Sequence, residues 1–137
     1  GLGIDLGNQM IDSGQDPSEV QNRVMAYLNA NPDTDAVLTL GPTSADPTIL
    51  ALDQMGLAGD IYFGTFDLGG DIVQAISDGV IEWGIDQQPF LQAYLPVVVL
   101  TNYHRFGVLP GNNINSGPGF VTADALGLVA DLAGEYR

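Results

Sequence analysis

Two polar positions in this sequence have the residue types and the spacing needed to bind a small hydroxylated ligand. Asp67 follows the β-forming run 61–65, and Gln87 follows the similar run 81–85. A helical pattern comes after each position, which places both side chains at the carboxyl ends of strands, where open α/β sheets bind small molecules. A carboxylate accepts several hydrogen bonds, and an amide both accepts and donates. Together these groups suit a ligand rich in hydroxyls.

Each position also has a purely structural interpretation. Asp67 could cap the helix that begins near Gly70, because Asp is a preferred N-cap residue, and position alone does not separate capping from ligand binding. Gln is a weak cap, so ligand binding is favoured for Gln87. Trp83 alternates with apolar neighbours, which favours a core position over a platform for stacking a sugar.

Other candidate sites are weaker. Thr43 and Ser44 lie between a strand and a helix, where hydroxyls and amides could bind a ligand or an anion, although a loop closing onto a helix cap fits equally well. The chain contains no lysine, which excludes a P-loop. No nucleophile or carboxylate is paired with His104, the single histidine, so no catalytic triad is predicted. Residues 33–35 begin like a calcium loop but lack its Gly and Glu. We therefore predict no metal and no cofactor.

Composition narrows the classes of partner. The 137 residues suffice for one domain with a core. Seventeen acidic residues stand against three arginines, which gives a net charge of -14. Such a surface repels nucleic-acid phosphates and lacks the basic cluster that anionic lipids attract, so no nucleic acid is predicted as a partner. No apolar run is long enough to insert into a membrane. The absence of cysteine excludes disulfides and thiolate zinc sites.

Strand and helix patterns alternate along the first two thirds of the chain. The run Asp16-Pro17-Ser18-Glu19 combines an N-cap, a proline at the first helical position and a capping-box Glu. Asp46-Pro47 is read as a second helix start of the same kind. The predicted strands are 9–12, 36–40, 61–65 and 81–86, and the predicted helices are 16–30, 46–55 and 70–77. Short connections between such units indicate an open parallel sheet with helices on both faces, an α/β fold of three layers.

The character of the sequence changes after Pro89. Residues 90–106 form a long apolar helical pattern, with Pro96 expected to kink it. Residues 107–119 are rich in Gly, Pro and Asn, which predicts a loop. A short strand at 120–121 and a final helix over 123–133, capped by Thr122, complete the prediction.

The order of these elements and motifs resembles a known family, the type I periplasmic solute-binding proteins of sugar ABC transporters, of the ribose-binding kind. The resemblance is to the C-terminal lobe and covers almost the whole chain. The segments that carry it are Asp16-Pro17-Ser18-Glu19, Gln21-Asn22-Arg23, Asn31-Pro32-Asp33 before Ala36-Val37, Gly41-Pro42-Thr43-Ser44-Ala45-Asp46-Pro47, Phe63-Gly64-Thr65-Phe66-Asp67, Ser77-Asp78-Gly79 and Asp86-Gln87-Gln88-Pro89.

The resemblance implies a function of binding without catalysis, in which two lobes close over one sugar. Asp67 and Gln87 would hydrogen-bond the sugar hydroxyls, and loops at Gln15 and Thr43 would add contacts. The implied location is periplasmic or extracytoplasmic, with an ABC permease as the partner of the intact protein. Two alternatives stay open at this point: the effector-binding lobe of a repressor-type transcription factor, which shares the fold, and a Rossmann-like or flavodoxin-like enzyme fragment.

The resemblance also implies a division of the chain. Residues 1–88 would form the C-terminal-lobe unit, 89–107 a helix that crosses to an N-terminal lobe, and 108–137 the hinge return with a short strand and a helix. The N-terminal lobe and the opening strand of this lobe are absent, and the chain begins at Gly1 without an initiator methionine. We therefore expect a mature, trimmed or excised piece, incomplete as a receptor, that self-associates through the apolar helix 90–106.

Overall fold

A computed structural model describes residue 7 and residues 9–135 of the chain, so Gly1 and the residues next to it lie outside the described part. The helices are α1 (Pro17–Ala30), α2 (Pro42–Met55), α3 (Gly70–Ser77) and α4 (Pro89–Phe106). The strands are β1 (Ala36–Leu38), β2 (Tyr62–Phe66), β3 (Trp83–Asp86) and β4 (Gly119–Val121). Two 3-10 segments follow, η1 (Ala123–Leu128) and η2 (Ala130–Leu132).

The four strands form one mixed sheet in the order β1-β2-β3-β4. β1, β2 and β3 run parallel, as the alternation of strands and helices predicts, and β4 returns antiparallel to β3. Successive parallel strands are added in one direction, so right-handed crossovers place α2 and α3 on the same face of the sheet. The α/β fold class is thereby confirmed.

The core lies between this face and helices α1 to α3. Phe63 and Thr65 of β2 are fully buried there, and Val20, Leu52 and Ile76 of the three helices are buried with them. Helix α1 packs along α2, and α2 packs against α3. The carboxyl ends of the parallel strands β1, β2 and β3 and the N-termini of α2, α3 and α4 therefore meet at one edge of the domain.

The opposite face of the sheet is apolar and open. Leu38, Tyr62 and Phe120 are each more than half exposed, so none of the described helices covers them. The second layer of helices that we expected from the sequence is not found over these side chains within the described residues. The Trp83 ring lies on this face, edge-on to Phe120 with the ring centroids 5.6 Å apart. Trp83 is half-buried, so the predicted core position is only partly correct.

Three local predictions need correction. Residues 9–12 form no strand, because no described strand pairs with them and Met10 is 87% exposed. Helix α2 begins at Pro42 and not at Asp46, since a proline at the first helical position needs no hydrogen-bond donor. The final helix is replaced by the 3-10 segments η1 and η2, and the Thr122 side chain makes no capping hydrogen bond.

Helix α4 stands apart from this core. None of its residues is buried, and several of its apolar side chains line a cavity together with the loop that follows the helix. Leu95 and Val99 of α4 and Leu109 and Ile114 of that loop line this cavity, which has a volume of about 480 Å³ and is open to solvent. Among the described residues, no helix combines the length and the hydropathy needed to cross a membrane.

Candidate functional site

Asp67 lies at the carboxyl end of β2 in a left-handed backbone conformation, with φ of 59°. Its backbone N–H donates to the carbonyl of Ile85 on β3 at 2.8 Å. Asp tolerates the left-handed region better than most residues, because its short polar side chain bonds locally. The turn places the half-buried carboxylate at the edge of the sheet. Asp67 does not cap α3, because the N-cap position of α3 is Gly69, which has no capping side chain.

Gln87 lies at the same edge, directly after β3. The buried Asp86 carboxylate accepts a hydrogen bond from the backbone N–H of Gln88 at 2.8 Å, and Gln88 has φ of 55°. The side-chain amide of Gln92 donates to the Gln87 carbonyl at 2.7 Å. These contacts fix the backbone on both sides of Gln87 while its own side chain remains exposed.

The two predicted residues contact each other. Gln87 Nε2 donates to Asp67 Oδ2 at 3.3 Å. The other carboxylate oxygen, Asp67 Oδ1, is buried and has no hydrogen-bond partner among the described residues. A buried acceptor without a donor costs about 1–3 kcal/mol, so a ligand that supplies a hydroxyl donor at this position would satisfy it. The arrangement has the chemistry of a hydrogen-bonding site.

Thr43 and Gln15 are placed less centrally. Thr43 is exposed in the first turn of α2, at the same edge of the sheet, and lines a cavity between α1 and α2. Gln15 is exposed just before the N-cap residue of α1. Within the described part of the chain, no hydrogen bond joins either residue to Asp67 or Gln87. The structure thus brings two of the four predicted residues into contact and leaves the other two at the periphery.

Sequence similarity places this chain in a known family. The sequence model of the family described as "Periplasmic binding protein domain" matches residues 3–107. The chain belongs to this family. It is also 29% identical over 119 residues to the xylose/arabinose-binding protein XylF of Sulfolobus acidocaldarius, an alignment that covers 82% of this chain and 30% of XylF.

Solved structures of this family share the fold. A carbohydrate transporter from Acidothermus cellulolyticus 11B, in complex with myo-inositol, has a TM-score of 0.77 at 32% identity over 86% of this chain and 41% of its own. An ABC sugar transporter (periplasmic sugar binding protein) from Legionella pneumophila has a TM-score of 0.69 at 31% identity over 78% of this chain and 40% of its own. The resemblance inferred from the sequence is confirmed. The chain spans less than half the length of these relatives.

Two features of this periplasmic binding protein lobe escaped the sequence analysis. Thr39 Oγ1 donates to Thr65 Oγ1 at 2.7 Å, a buried bond that joins the ends of β1 and β2 beneath the site. Their separation of 26 residues leaves no local signal for it. The sequence predicts Asp46 as a helix cap, yet Asp46 lies inside α2, and its buried Oδ1 has no hydrogen-bond partner among the described residues. Among the described residues, no cluster of His, Cys, Asp and Glu could hold a metal ion.

Proposed function

We propose that this chain is the C-terminal lobe of a sugar-binding receptor, and that Asp67 and Gln87 bind the hydroxyls of a monosaccharide-like polyol. The observation that carries the proposal is the pairing of these two side chains at the sheet edge. The Gln87 amide donates to one carboxylate oxygen of Asp67, and the other oxygen is buried without a donor among the described residues. A site built to hydrogen-bond an OH rejects analogues that lack it, so hydroxyl matching would set specificity.

The relatives support a sugar as the ligand. XylF is named for xylose and arabinose, and the Acidothermus structure contains myo-inositol. All of these ligands are small and carry several hydroxyls. The intact protein would deliver its sugar to an ABC permease from a periplasmic or extracytoplasmic location, without catalysis. Thr43, in the first turn of α2, and Gln15, just before the N-cap residue of α1, would add contacts.

Helix α4 is proposed to leave the lobe and pack against an N-terminal lobe. Its apolar residues are not confined to one face, and none of its residues is buried. In this division, residues 1–88 form the C-terminal-lobe unit, 89–107 the crossing helix and 108–137 the return. The 137-residue chain alone would cover α4 by self-association through 90–106. Light scattering that gives a clean monomer on the order of tens of micromolar would contradict that association.

The proposed function is tested by titrating the ¹⁵N-labelled 137-residue chain with D-xylose, L-arabinose and myo-inositol, up to about 100 mM because one lobe supplies only part of a site. Amide shifts are expected at Asp67 and Gln87. Asp67→Asn should weaken the affinity about tenfold or more, since it removes a charged acceptor.

The matched control is Asp78→Asn. Like Asp67, Asp78 carries a carboxylate that accepts hydrogen bonds from a glutamine amide, that of Gln74 at 2.9 Å, but Asp78 is exposed and lies at the other end of α3. This variant should bind like the unmodified chain. Equal affinities of the Asp67 and Asp78 variants, or shifts confined to regions away from residues 67 and 87, would overturn the assignment.

A further inference from the structure

A second cavity lies beside the sheet edge, between the first turns of α1 and α2. Its volume is about 330 Å³, within the range of small-molecule sites. Pro17 and Gln21 of α1 form one side, and Thr43, Asp46 and Leu50 of α2 form the other. The walls therefore combine apolar surface with a hydroxyl, an amide and a carboxylate.

The carboxylate in this cavity is incompletely satisfied. Asp46 Oδ1 is buried and has no hydrogen-bond partner among the described residues. Burial raises the pKa of Asp46, and the negative charge of Asp71 on α3 raises it further. Buried polar atoms in native proteins are nearly always hydrogen-bonded, and the described residues supply no donor to Asp46 Oδ1.

A second residue of the cavity wall, Thr43, carries a backbone acceptor. Pro47 occupies the interior of α2 and has no N–H, so it cannot donate the hydrogen bond that the Thr43 carbonyl would accept in a regular helix. Thr43 and Asp46 both line the cavity. Each of these two residues thus carries an acceptor oxygen that lacks its usual donor among the described residues.

The cavity adjoins the proposed sugar site. Pro42 lines it, and a Cβ built on Gly69, two residues after Asp67, would lie 3.9 Å from Pro42 Cγ. A ligand held at Asp67 and Gln87 could therefore reach past the first turn of α2.

We propose that this cavity, with Asp46 as its principal acceptor, is a subsite for a hydrogen-bond donor group, a hydroxyl or an ammonium, of the ligand bound at Asp67. The proposal rests on the proposed sugar-binding function. Because the chain carries a net charge of -14, its negative potential would attract an ammonium in addition to the hydrogen bond. A hydroxyl is uncharged and would be held by the hydrogen bond alone. The subsite would favour ligands that carry a further hydrogen-bond donor group in addition to the group bound by Gln87.

The test is an amide-shift titration of the 137-residue chain with D-glucose and D-glucosamine, which differ by one hydroxyl exchanged for an ammonium. Shifts at Gln21, Asp46 and Leu50 report on the cavity, and shifts at Asp67 and Gln87 report on the sugar site. Asp46→Asn keeps the shape of the side chain. It should weaken the affinity measured from the cavity shifts about tenfold or more.

Asp53→Asn is the control, because Asp53 is exposed on the same helix outside the cavity. Its titration should match that of the unmodified chain. Cavity shifts with both sugars identify a hydroxyl, and cavity shifts with D-glucosamine alone identify an ammonium.

The remaining outcomes count against the proposals separately. Shifts at Asp67 and Gln87 without any at the cavity would overturn the subsite and leave the sugar site intact. Cavity shifts that Asp46→Asn leaves unchanged would overturn the role of Asp46. Cavity shifts without any at Asp67 and Gln87 would overturn the proposed sugar site, and no shift at either position up to about 100 mM would overturn both.

Discussion

Replacing Gly64 by Ala should disturb the two strands that carry Asp67 and Gln87. Gly64 of β2 is the register partner of Trp83 on β3, and the Trp83 ring lies directly over it. A Cβ at Gly64 would lie 2.4 Å from Cζ2 and 2.6 Å from Cε2 and Cη2 of that ring. Carbon atoms in contact are normally about 3.5–4.0 Å apart, so the ring must move by about 1 Å or more.

The change in the free energy of unfolding can be estimated from the contacts that the Trp83 ring would lose and from the strain that the new Cβ adds. Displacing Trp83 weakens its edge-to-face contact with Phe120, a type of pair worth about 0.5–1.5 kcal/mol. Overpacking adds strain of about 1–3 kcal/mol. Alanine recovers about 0.5–1 kcal/mol relative to glycine within a strand. We expect Gly64→Ala to lower the free energy of unfolding by about 1–3 kcal/mol.

Urea unfolding followed by fluorescence measures this change directly, because Trp83 is the single tryptophan of the chain. Its emission should shift in the folded Gly64→Ala variant. Gly70→Ala is the control: nothing lies within 4 Å of a Cβ at Gly70, which begins α3, so that variant should be neutral or slightly stabilised.

A second comparison isolates the cause. In a Trp83→Ala background, followed by circular dichroism, Gly64→Ala should cost almost nothing, because the obstructing ring is gone. An unchanged stability and emission for Gly64→Ala alone, or an equal cost in both backgrounds, would refute the steric reasoning.

Three further predictions concern single hydrogen bonds and charges. Thr65→Val should lower the free energy of unfolding in urea by about 1–3 kcal/mol, because it leaves the Thr39 hydroxyl buried without its partner, and adding Thr39→Val should recover most of that loss. Asp16→Ala removes the N-cap acceptor of α1 and should cost about 0.5–2 kcal/mol in the same assay. The raised pKa of Asp46 means that the folded chain binds a proton more readily than the unfolded chain, so this group's contribution to stability falls as pH rises from 3.8 through the folded pKa. Asp46→Asn should remove that part of the fall, and urea unfolding across the acidic pH range measures it.

An element could be predicted from local sequence where its own residues are enough to form it. Helix α3 was predicted with its observed bounds, and Asp16 caps α1 by accepting the Glu19 N–H at 3.0 Å. Residues 9–12 have a strand-like sequence, but a strand requires a neighbour, and no described strand pairs with them. Asp46-Pro47 has the form of a helix start, yet Pro42 provides an earlier one, and the sequence alone did not rank the two.

The candidate site was predictable only in part. Asp67 and Gln87 end neighbouring parallel strands, so the topology alone brings them to one edge, and the structure gives the contact between them. Their role in ligand binding stays a prediction. The cavity at Asp46 depends on how α1 packs against α2, and the Thr39–Thr65 bond depends on the pairing of β1 with β2. Neither packing arrangement has a signal in local sequence.

Solvent access to the proposed site would limit the affinity of this chain for a ligand. Leu38, Tyr62 and Phe120 leave one sheet face open, and no residue of α4 is buried, while the chain spans less than half the length of its relatives. Asp67 and Gln87 line one wall of the proposed site, and the Gln87 side chain is exposed to solvent. Hydrogen bonds strengthen when water is excluded. A second wall would thus raise the affinity by desolvating the same contacts, even if it added no hydrogen bond of its own.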